Sequence, residues 1–169
     1  MIRRMVEADA LRAKDFLEAN YLAPHEDAHR PVEDALKHML RSGQDLWVLD
    51  DSGTVRGVLQ GDGRNCTVDW NGRVWTANRF TVLVVQYDAM PVERGVMARD
   101  LTLFAADDLR DNGGMQEIIW VWGHKDSRGA QWARRLGMEE VPDGDNSNFY
   151  LPFKDIWEAA KRAVPRRVG

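Results

Sequence analysis

His25-Glu26-Asp27-Ala28-His29 has the spacing H-E-x-x-H, in which two histidines one helical turn apart bind zinc and the glutamate activates a water. That chemistry needs a stable helix through both histidines. Pro24 and Pro31 bracket the string, no apolar helix leads into it and no third ligand follows at the required spacing, so no metal is expected. Two other titratable side chains stand at strand exits. Asp88 follows the run Phe80–Gln86 and has the chemistry of a general base, able to reach an ammonium proton directly or through one water; it suits a turn equally well. His124 follows the run Glu117–Trp122 and is of the residue type that titrates nearest neutral pH; in the loop Gly123-His124-Lys125-Asp126 it equally suits a solvent-facing position. Between them, Arg94-Gly95 lies where a strand gives way to a helix. A glycine there lets a ligand approach the backbone, the helix start offers unpaired N–H groups to an anion, and Arg94 and Arg99 add charge. A strand that stops pairing near Tyr87 to Ala89 offers its backbone groups to an extended, amide-containing arm.

These residues depend on alternating helix and strand signals. Ile2 to Val6 reads as a short strand, and Glu7 to Asn20 as a helix with Ala10, Leu11, Ala13, Phe16 and Leu17 at helical spacing. Beyond Pro31, Val32, Leu36, Met39 and Leu40 form the stripe of a second helix that ends by Ser42-Gly43. Leu46–Leu49 and Val55–Leu59 pair around Asp50-Asp51-Ser52-Gly53, and Thr67–Trp70 and Arg73–Thr76 pair around Asn71-Gly72, the strongest hairpin signal in the chain. Phe80–Gln86 is too continuously apolar for a half-exposed strand and belongs at the centre of a sheet. Pro91 to about Arg110 is a helix whose face carries Met97, Leu101, Phe104, Ala105 and Leu109, stopped by Asn112-Gly113-Gly114. Beyond it come a strand at Glu117–Trp122, a helix at Ser127–Leu136, a strand at Met138–Val141, an acidic loop from Pro142 to Asn148, a strand at Phe149–Phe153 and a helix at Asp155–Ala163.

Composition bounds the answer from outside. The chain has 169 residues and is 44% apolar, enough for one domain with one sizeable core. Lys and Arg number 23 against 27 Asp and Glu, a net charge of −4, so no global basic field invites nucleic acid. Cys66 is the only cysteine, which excludes an internal disulfide framework and fits a reducing compartment. The start, Met1 to Glu7, turns acidic before an apolar signal region develops, and the longest apolar run, Val82–Val85, is far short of a membrane span. The expectation is a cytoplasmic protein without membrane contact. Lys154, Lys161, Arg162, Arg166 and Arg167 against Asp155 and Glu158 make the tail basic, and such a tail is ordinarily solvated.

Three stretches resemble one family. Ala89-Met90-Pro91-Val92-Glu93-Arg94-Gly95 resembles the V-x-P-x-x-R-G junction of the GNAT acetyltransferase superfamily, where the central strand ends and the acyl-CoA pyrophosphate loop begins. Asp126-Ser127-Arg128-Gly129 with Trp132 and Leu136-Gly137-Met138 resembles its N-x-x-A…F-Y-x-K-L-G-F segment, and Asp45–Leu59 its β-turn-G-x-β hairpin. The resemblance covers residues 1–153 as a GNAT-like domain, with 154–169 as a C-terminal basic helical tail. It implies an α/β (α+β) domain with a mixed, mostly antiparallel central sheet flanked by helices, in the order β-α-α-β-β-β-α-β-α-β-β. It implies acetyl-CoA as acyl donor, held by Tyr87, Ala89, Arg94, Gly95, Val96, Met97, Ala98, Arg99 and Asp126.

Departures from the pattern are specific. The loop reads Arg94-Gly95-Val96-Met97-Ala98-Arg99, so Met97 and Arg99 occupy positions that are small in the family. Asp126 stands for the usual asparagine, and the tyrosine that commonly protonates the departing thiolate falls on Ala133. Asp88 and His124 are then the candidate catalytic groups. His25, Glu26 and His29 would border the acceptor groove and meet the substrate. Two function classes are compatible with this pattern: an N-acyltransferase working by direct attack in a ternary complex, and a catalytically silent module that binds acyl-CoA or a partner. The acceptor is a small-molecule or protein amine, a modified base being compatible, and Glu26, Asp27, Asp143 and Asp145 favour a cationic one. A homodimer is left open. Among the tryptophans, Trp47, Trp120 and Trp122 alternate with aliphatics, which suits one indole in the core and another near a ligand, while Trp70 and Trp75 suit cross-strand pairing.

Overall fold

The computed structural model describes residues 1–20, 33–61 and 66–164. Eight strands form one sheet: β1 (Ile2–Arg4), β2 (Asp45–Asp51), β3 (Thr54–Gly61), β4 (Cys66–Trp70), β5 (Arg73–Val85), β6 (Ile118–His124), β7 (Glu139–Asp143) and β8 (Asn146–Pro152). Their order is β1-β2-β3-β5-β6-β8-β7, with β4 paired to β5 off this path. Every ladder is antiparallel except β5 with β6. Among the described residues five α-helices flank it: α1 (Ala10–Asn20), α2 (Glu33–Arg41), α3 (Pro91–Asp111), α4 (Arg128–Arg135) and α5 (Ile156–Ala163). The mixed, mostly antiparallel sheet expected from the sequence is therefore present.

Turn chemistry sets the hairpins. Ser52 and Gly53 between β2 and β3, and Asn71 and Gly72 between β4 and β5, all have positive φ, the conformation that keeps a two-residue turn in step with strand twist. Two segments differ from expectation. Arg73–Thr76 and Phe80–Gln86 are not separate strands, because Asn78 between them is committed to bonds with the segment before β6 rather than to a turn; β5 runs unbroken from Arg73 to Val85. Its first part pairs with β4 and its second with β3. Buried Asn78 fastens the middle, its amide donating to the Gly114 carbonyl at 2.9 Å and its oxygen accepting from Gln116 N–H at 2.8 Å. The expected acidic loop from Pro142 to Asn148 is mostly strand: Gly144, at φ +60°, closes a tight turn and both flanks continue the β7–β8 ladder.

Helices cover the two faces unequally. On one face α1 and α2 bury Ala13, Leu17 and Leu36 against Leu46, Val48, Val58 and Val84. On the other, α3, α4 and α5 share a larger core with Trp47, Ile119, Phe149 and Leu151. Gly57 makes room there for α3, since a Cβ on it would stand 2.8 Å from Leu101 Cδ1. The C-terminal helix is part of this core, with Ile156, Ala159 and Ala160 buried. A third cluster forms where Trp70 stacks on Tyr150 with centroids 5.4 Å apart. Trp75 also meets Trp70 at 5.4 Å, as a diagonal neighbour, since the register sets Trp75 opposite Val68.

Charged side chains tie the edge strand β1 to both layers. Arg4 bridges Asp45 and Asp108 at 2.8 and 2.6 Å, and the Trp47 indole N–H donates to the same Asp108 at 2.8 Å. Buried Asp9 accepts from Arg3 at 2.7 Å, from Arg12 at 2.8 Å and from the Val6 N–H at 2.9 Å, which fixes where α1 begins. Arg3, ahead of the opposing effect of burial, holds the Asp9 carboxyl at about 2, below its ordinary 3.8. Because the folded value lies below the unfolded one, this contribution is complete above about pH 4 and is lost as pH falls towards 2. Denaturant titrations should show stability declining through that window, with Asp9 accounting for about 2 kcal/mol of it. Asp9→Asn should flatten that share of the profile and be less stable than wild type at neutral pH.

Candidate active site

The site begins where β5 and β6 part. Their parallel register covers Ala77–Phe80 against Ile118–Val121 and goes no further. Yet β5 continues to Val85, backed by β3 as far as Gly57↔Val85, and β6 continues to His124, backed by β8 as far as His124↔Asn146. The cause lies in the β3–β5 register: one step on β3, from Gln60 to Gly61, answers to two steps on β5, from Val82 to Phe80. Thr81 is thus an extra residue, a β-bulge, which bends the strand and raises its twist. The facing of side chains confirms it. Phe80 and Leu83 both pack on the α3–α5 side, whereas a regular strand would send residues three apart to opposite faces. Beyond the bulge, Thr81–Val85 and Trp122–His124 form two diverging edges without a strand partner in each other. Thr81 keeps its Oγ1 buried with no hydrogen-bond partner among the described residues.

Four elements meet at Tyr87, just past the cleft. Its N–H donates to Asn20 Oδ1 at 2.8 Å, at the end of α1, and its carbonyl accepts from Arg94 at 2.8 Å, in the first turn of α3. The guanidinium groups of Arg94 and of Arg128, the first residue of α4, lie 5.6 and 5.2 Å from the Tyr87 ring. Arg128 also donates to the Asn20 carbonyl. The stretch Tyr87–Ala89 is therefore not where the strand edge opens; Tyr87 uses both backbone groups, and the opening lies at Thr81–Val85.

The start of α3 departs from the loop that the resemblance implies. Pro91 is the first helical residue, and Arg94 N–H already bonds the Met90 carbonyl at 3.0 Å. Gly95 is consequently inside the helix and buried, where a Cβ would touch the Arg135 guanidinium and Val164 at 3.7 Å. Met97 and Ala98 are core residues, Val96 packs against the same core, and Arg99 pairs with Asp100 at 2.9 Å. The physical reason is direct. Proline at the first position starts a helix, and Met97 and Arg99, unlike glycine, favour its continuation. Pro91 has no N–H, so the helix start presents only those of Met90, Val92 and Glu93. The two strand edges fit an extended amide-containing arm; the helix start does not fit a backbone cradle for a diphosphate.

The two candidate catalytic side chains stand on different sides of β5. His124 ends β6; its Nδ1 accepts from Asp126 N–H at 3.1 Å and lies 4.0 Å from the exposed Asp126 carboxylate. With Nδ1 accepting, the neutral ring carries its proton on Nε2. Ser127 caps α4 beside it, accepting from Ala130 N–H at 3.1 Å. Asp88 lines a groove of about 590 Å³ with Arg12, Asp15, Asn20, Gln86 and Tyr87, bounded by α1 and the β2–β3 turn, and no β6 residue lines it. Ala133 is buried in the core and brings no hydroxyl. His25, Glu26 and His29 lie outside the described residues, and among those described no group of His, Cys, Asp and Glu is arranged to hold a metal. Trp47 is the core indole; Trp120 donates to Asn148 at 2.9 Å, and Arg79 lies 5.0 and 5.9 Å from the rings of Trp120 and the more exposed Trp122. Sequence reasoning misses Thr81, Asn20 and Arg128 as site-shaping residues. Asn20 reads only as a helix stop, and a bulge has no local signature.

No family model matches the chain, and no curated protein matches it in sequence. Solved structures do resemble it. The PaiA N-acetyltransferase of Thermoplasma acidophilum, in complex with coenzyme A, aligns with a TM-score of 0.67 at 11% identity, over 90% of this chain and 98% of its own. For yncA of Salmonella typhimurium, with its cofactor acetyl-CoA, the TM-score is 0.65 at 13% identity, over 90% of this chain and 93% of that one. The ribosomal-protein-S18-alanine N-acetyltransferase of Escherichia coli gives 0.62 at 15% identity, over 90% and 93%. The chain has the fold of the GNAT acetyltransferases.

The placing of Gly95 is open to a direct check. Alanine there replaces glycine within a helix and its Cβ meets neighbours only at ordinary contact distance, so Gly95→Ala should stabilise by up to about 1 kcal/mol. Gly95→Trp has no room beside Val164 and should lower the urea midpoint well below wild type. A Gly95→Ala variant less stable than wild type would contradict the helical assignment.

Proposed function

We propose that this chain is an N-acyltransferase, transferring an acyl group, acetyl in the simplest case, from the thioester of acetyl-CoA to an amine acceptor by direct attack in a ternary complex. The observation that carries this reading is the parting of β5 and β6 at the Thr81 bulge, a slot whose two walls are unpaired strand edges. Likeness of fold to N-acetyltransferases, including ones holding coenzyme A or acetyl-CoA, supports it.

The thioester supplies an activated carbonyl with a good leaving group; the chain supplies position and proton handling. Backbone groups of Thr81–Val85 and Trp122–His124 bind the amides of the donor's arm as an added strand would be bound. The groove holding Asp15 and Asp88 takes the acceptor; Arg12 in its lining is paired with Asp9 and Asp50, so the two carboxylates favour an amine that arrives as a cation. Asp88 removes the ammonium proton, directly or through one water, which frees the nitrogen lone pair to form the new C–N bond as the C–S bond breaks; the second proton then leaves nitrogen and the departing thiolate is protonated, through solvent. His124, held by the Asp126 N–H at Nδ1, donates from Nε2 towards the negative charge that develops on oxygen and sulfur. No tyrosine is required at residue 133 in this arrangement.

Thiol release from acetyl-CoA with a panel of primary amines tests the assignment, and turnover with at least one amine is expected. Asp88→Asn should lower kcat by about 10²–10⁴-fold and His124→Gln by about 10²-fold, with acetyl-CoA affinity unchanged in both. If acetyl-CoA neither binds nor is consumed with any acceptor, the proposal is wrong. Near-normal turnover in both variants would remove these two residues from the mechanism.

A further inference from the structure

The donor slot and the helix start beside it send opposite messages about how much of a coenzyme A molecule this chain reads. A nucleotide diphosphate is a polyanion and needs donors that are free to turn towards it. The start of α3 offers the N–H groups of Met90, Val92 and Glu93, one fewer than a helix without proline, and Glu93 brings its own carboxylate to the same turn. The positions that resemble a glycine loop are closed off: Gly95 is covered by Arg135 and Val164, and Met97 and Ala98 are core. Nearby guanidinium groups are each turned towards a protein partner by at least one of their five donors. Arg94 holds the Tyr87 carbonyl, Arg99 holds Asp100, Arg128 holds the Asn20 carbonyl, and Arg135 holds the Ala163 carbonyl at 2.7 Å. Between these charged groups the surface is apolar at Tyr87, Met90 and Val92, exposed by 47%, 67% and 50%. Such a surface suits a polyanion poorly, because charge loses hydration against it without gaining a partner.

The slot shows none of these obstacles among the described residues, since no ladder joins Thr81–Val85 to Trp122–His124 beyond Phe80↔Val121. We propose that the chain recognises its acyl donor through the pantetheine arm alone and does not read the nucleotide diphosphate. The inference rests on the acyltransferase reading above. An acyl thioester on a pantetheine or phosphopantetheine arm is then a donor on the same terms as acyl-CoA, and specificity falls on the amides of the arm and the acyl group.

Calorimetric titration of the wild-type chain with acetyl-CoA, acetyl-phosphopantetheine and acetyl-pantetheine separates the possibilities. The three dissociation constants should agree within about tenfold, where a diphosphate held by several charge-assisted bonds would separate them by far more. The nucleotide half of coenzyme A, added alone, should not compete. Raising salt from about 50 to about 500 mM should leave the acetyl-CoA constant within about twofold, because the proposed recognition uses no charged contact that salt would screen. If acetyl-CoA binds and loss of the nucleotide weakens binding more than about tenfold, the inference fails and the acyltransferase reading stands. If none of the three binds, both fail.

Discussion

One extra residue in one strand organises the site. Thr81 has no opposite number on β3, and from that point β5 turns away from β6 while each remains fastened to its outer neighbour. A sheet resists such a separation, because every unpaired N–H and C=O forfeits a bond that regular pairing would supply. The outer ladders therefore matter as much as the bulge. β3 holds β5 to Val85 and β8 holds β6 to His124, so both walls stay extended while the edges between them stay open. The convergence of α1, α3 and α4 on Tyr87 is set by where that divergence ends.

Much of the frame is legible in the sequence because it is written locally. Asn71-Gly72 and Ser52-Gly53 specify their turns through conformations that few residues accept, and Pro91 marks the start of α3. The resemblance in the Pro91–Gly95 stretch leads to the right fold. The site is legible only in outline. Residues 82–85 read as one apolar run, and nothing in such a run reveals that Thr81 reverses the facing of the residues after it; that depends on pairing with β3, which is distant in sequence. The same limit applies to Gly95. As a string, Arg94-Gly95 looks like a loop, but its burial is decided by Arg135 and Val164, which arrive from later elements.

Asp88 and His124 show how proximity along a motif differs from proximity in space. Both stand at ends of neighbouring strands, yet Asp88 turns to the groove beneath α1 and His124 stays on the β6 side, fixed by Asp126. A separation of this kind suits a two-substrate reaction, in which one group serves the incoming nucleophile and another the departing side. Ala133 is buried, where a longer side chain would have to displace core.

The sheet has a mechanical character that comes from its joint. Two well-braced half-sheets, β1-β2-β3-β5 and β6-β8-β7, meet in a ladder limited to Ala77–Phe80 and Ile118–Val121. Load applied at either outer edge is carried across the middle of the sheet by that short splice and by the helices laid over it. Buried Asn78, with its two bonds to the segment leading into β6, acts as the rivet of the splice. Stiffness is thus concentrated at the closed end of the cleft and compliance at its mouth, so the width of the mouth is the coordinate along which this sheet yields most readily.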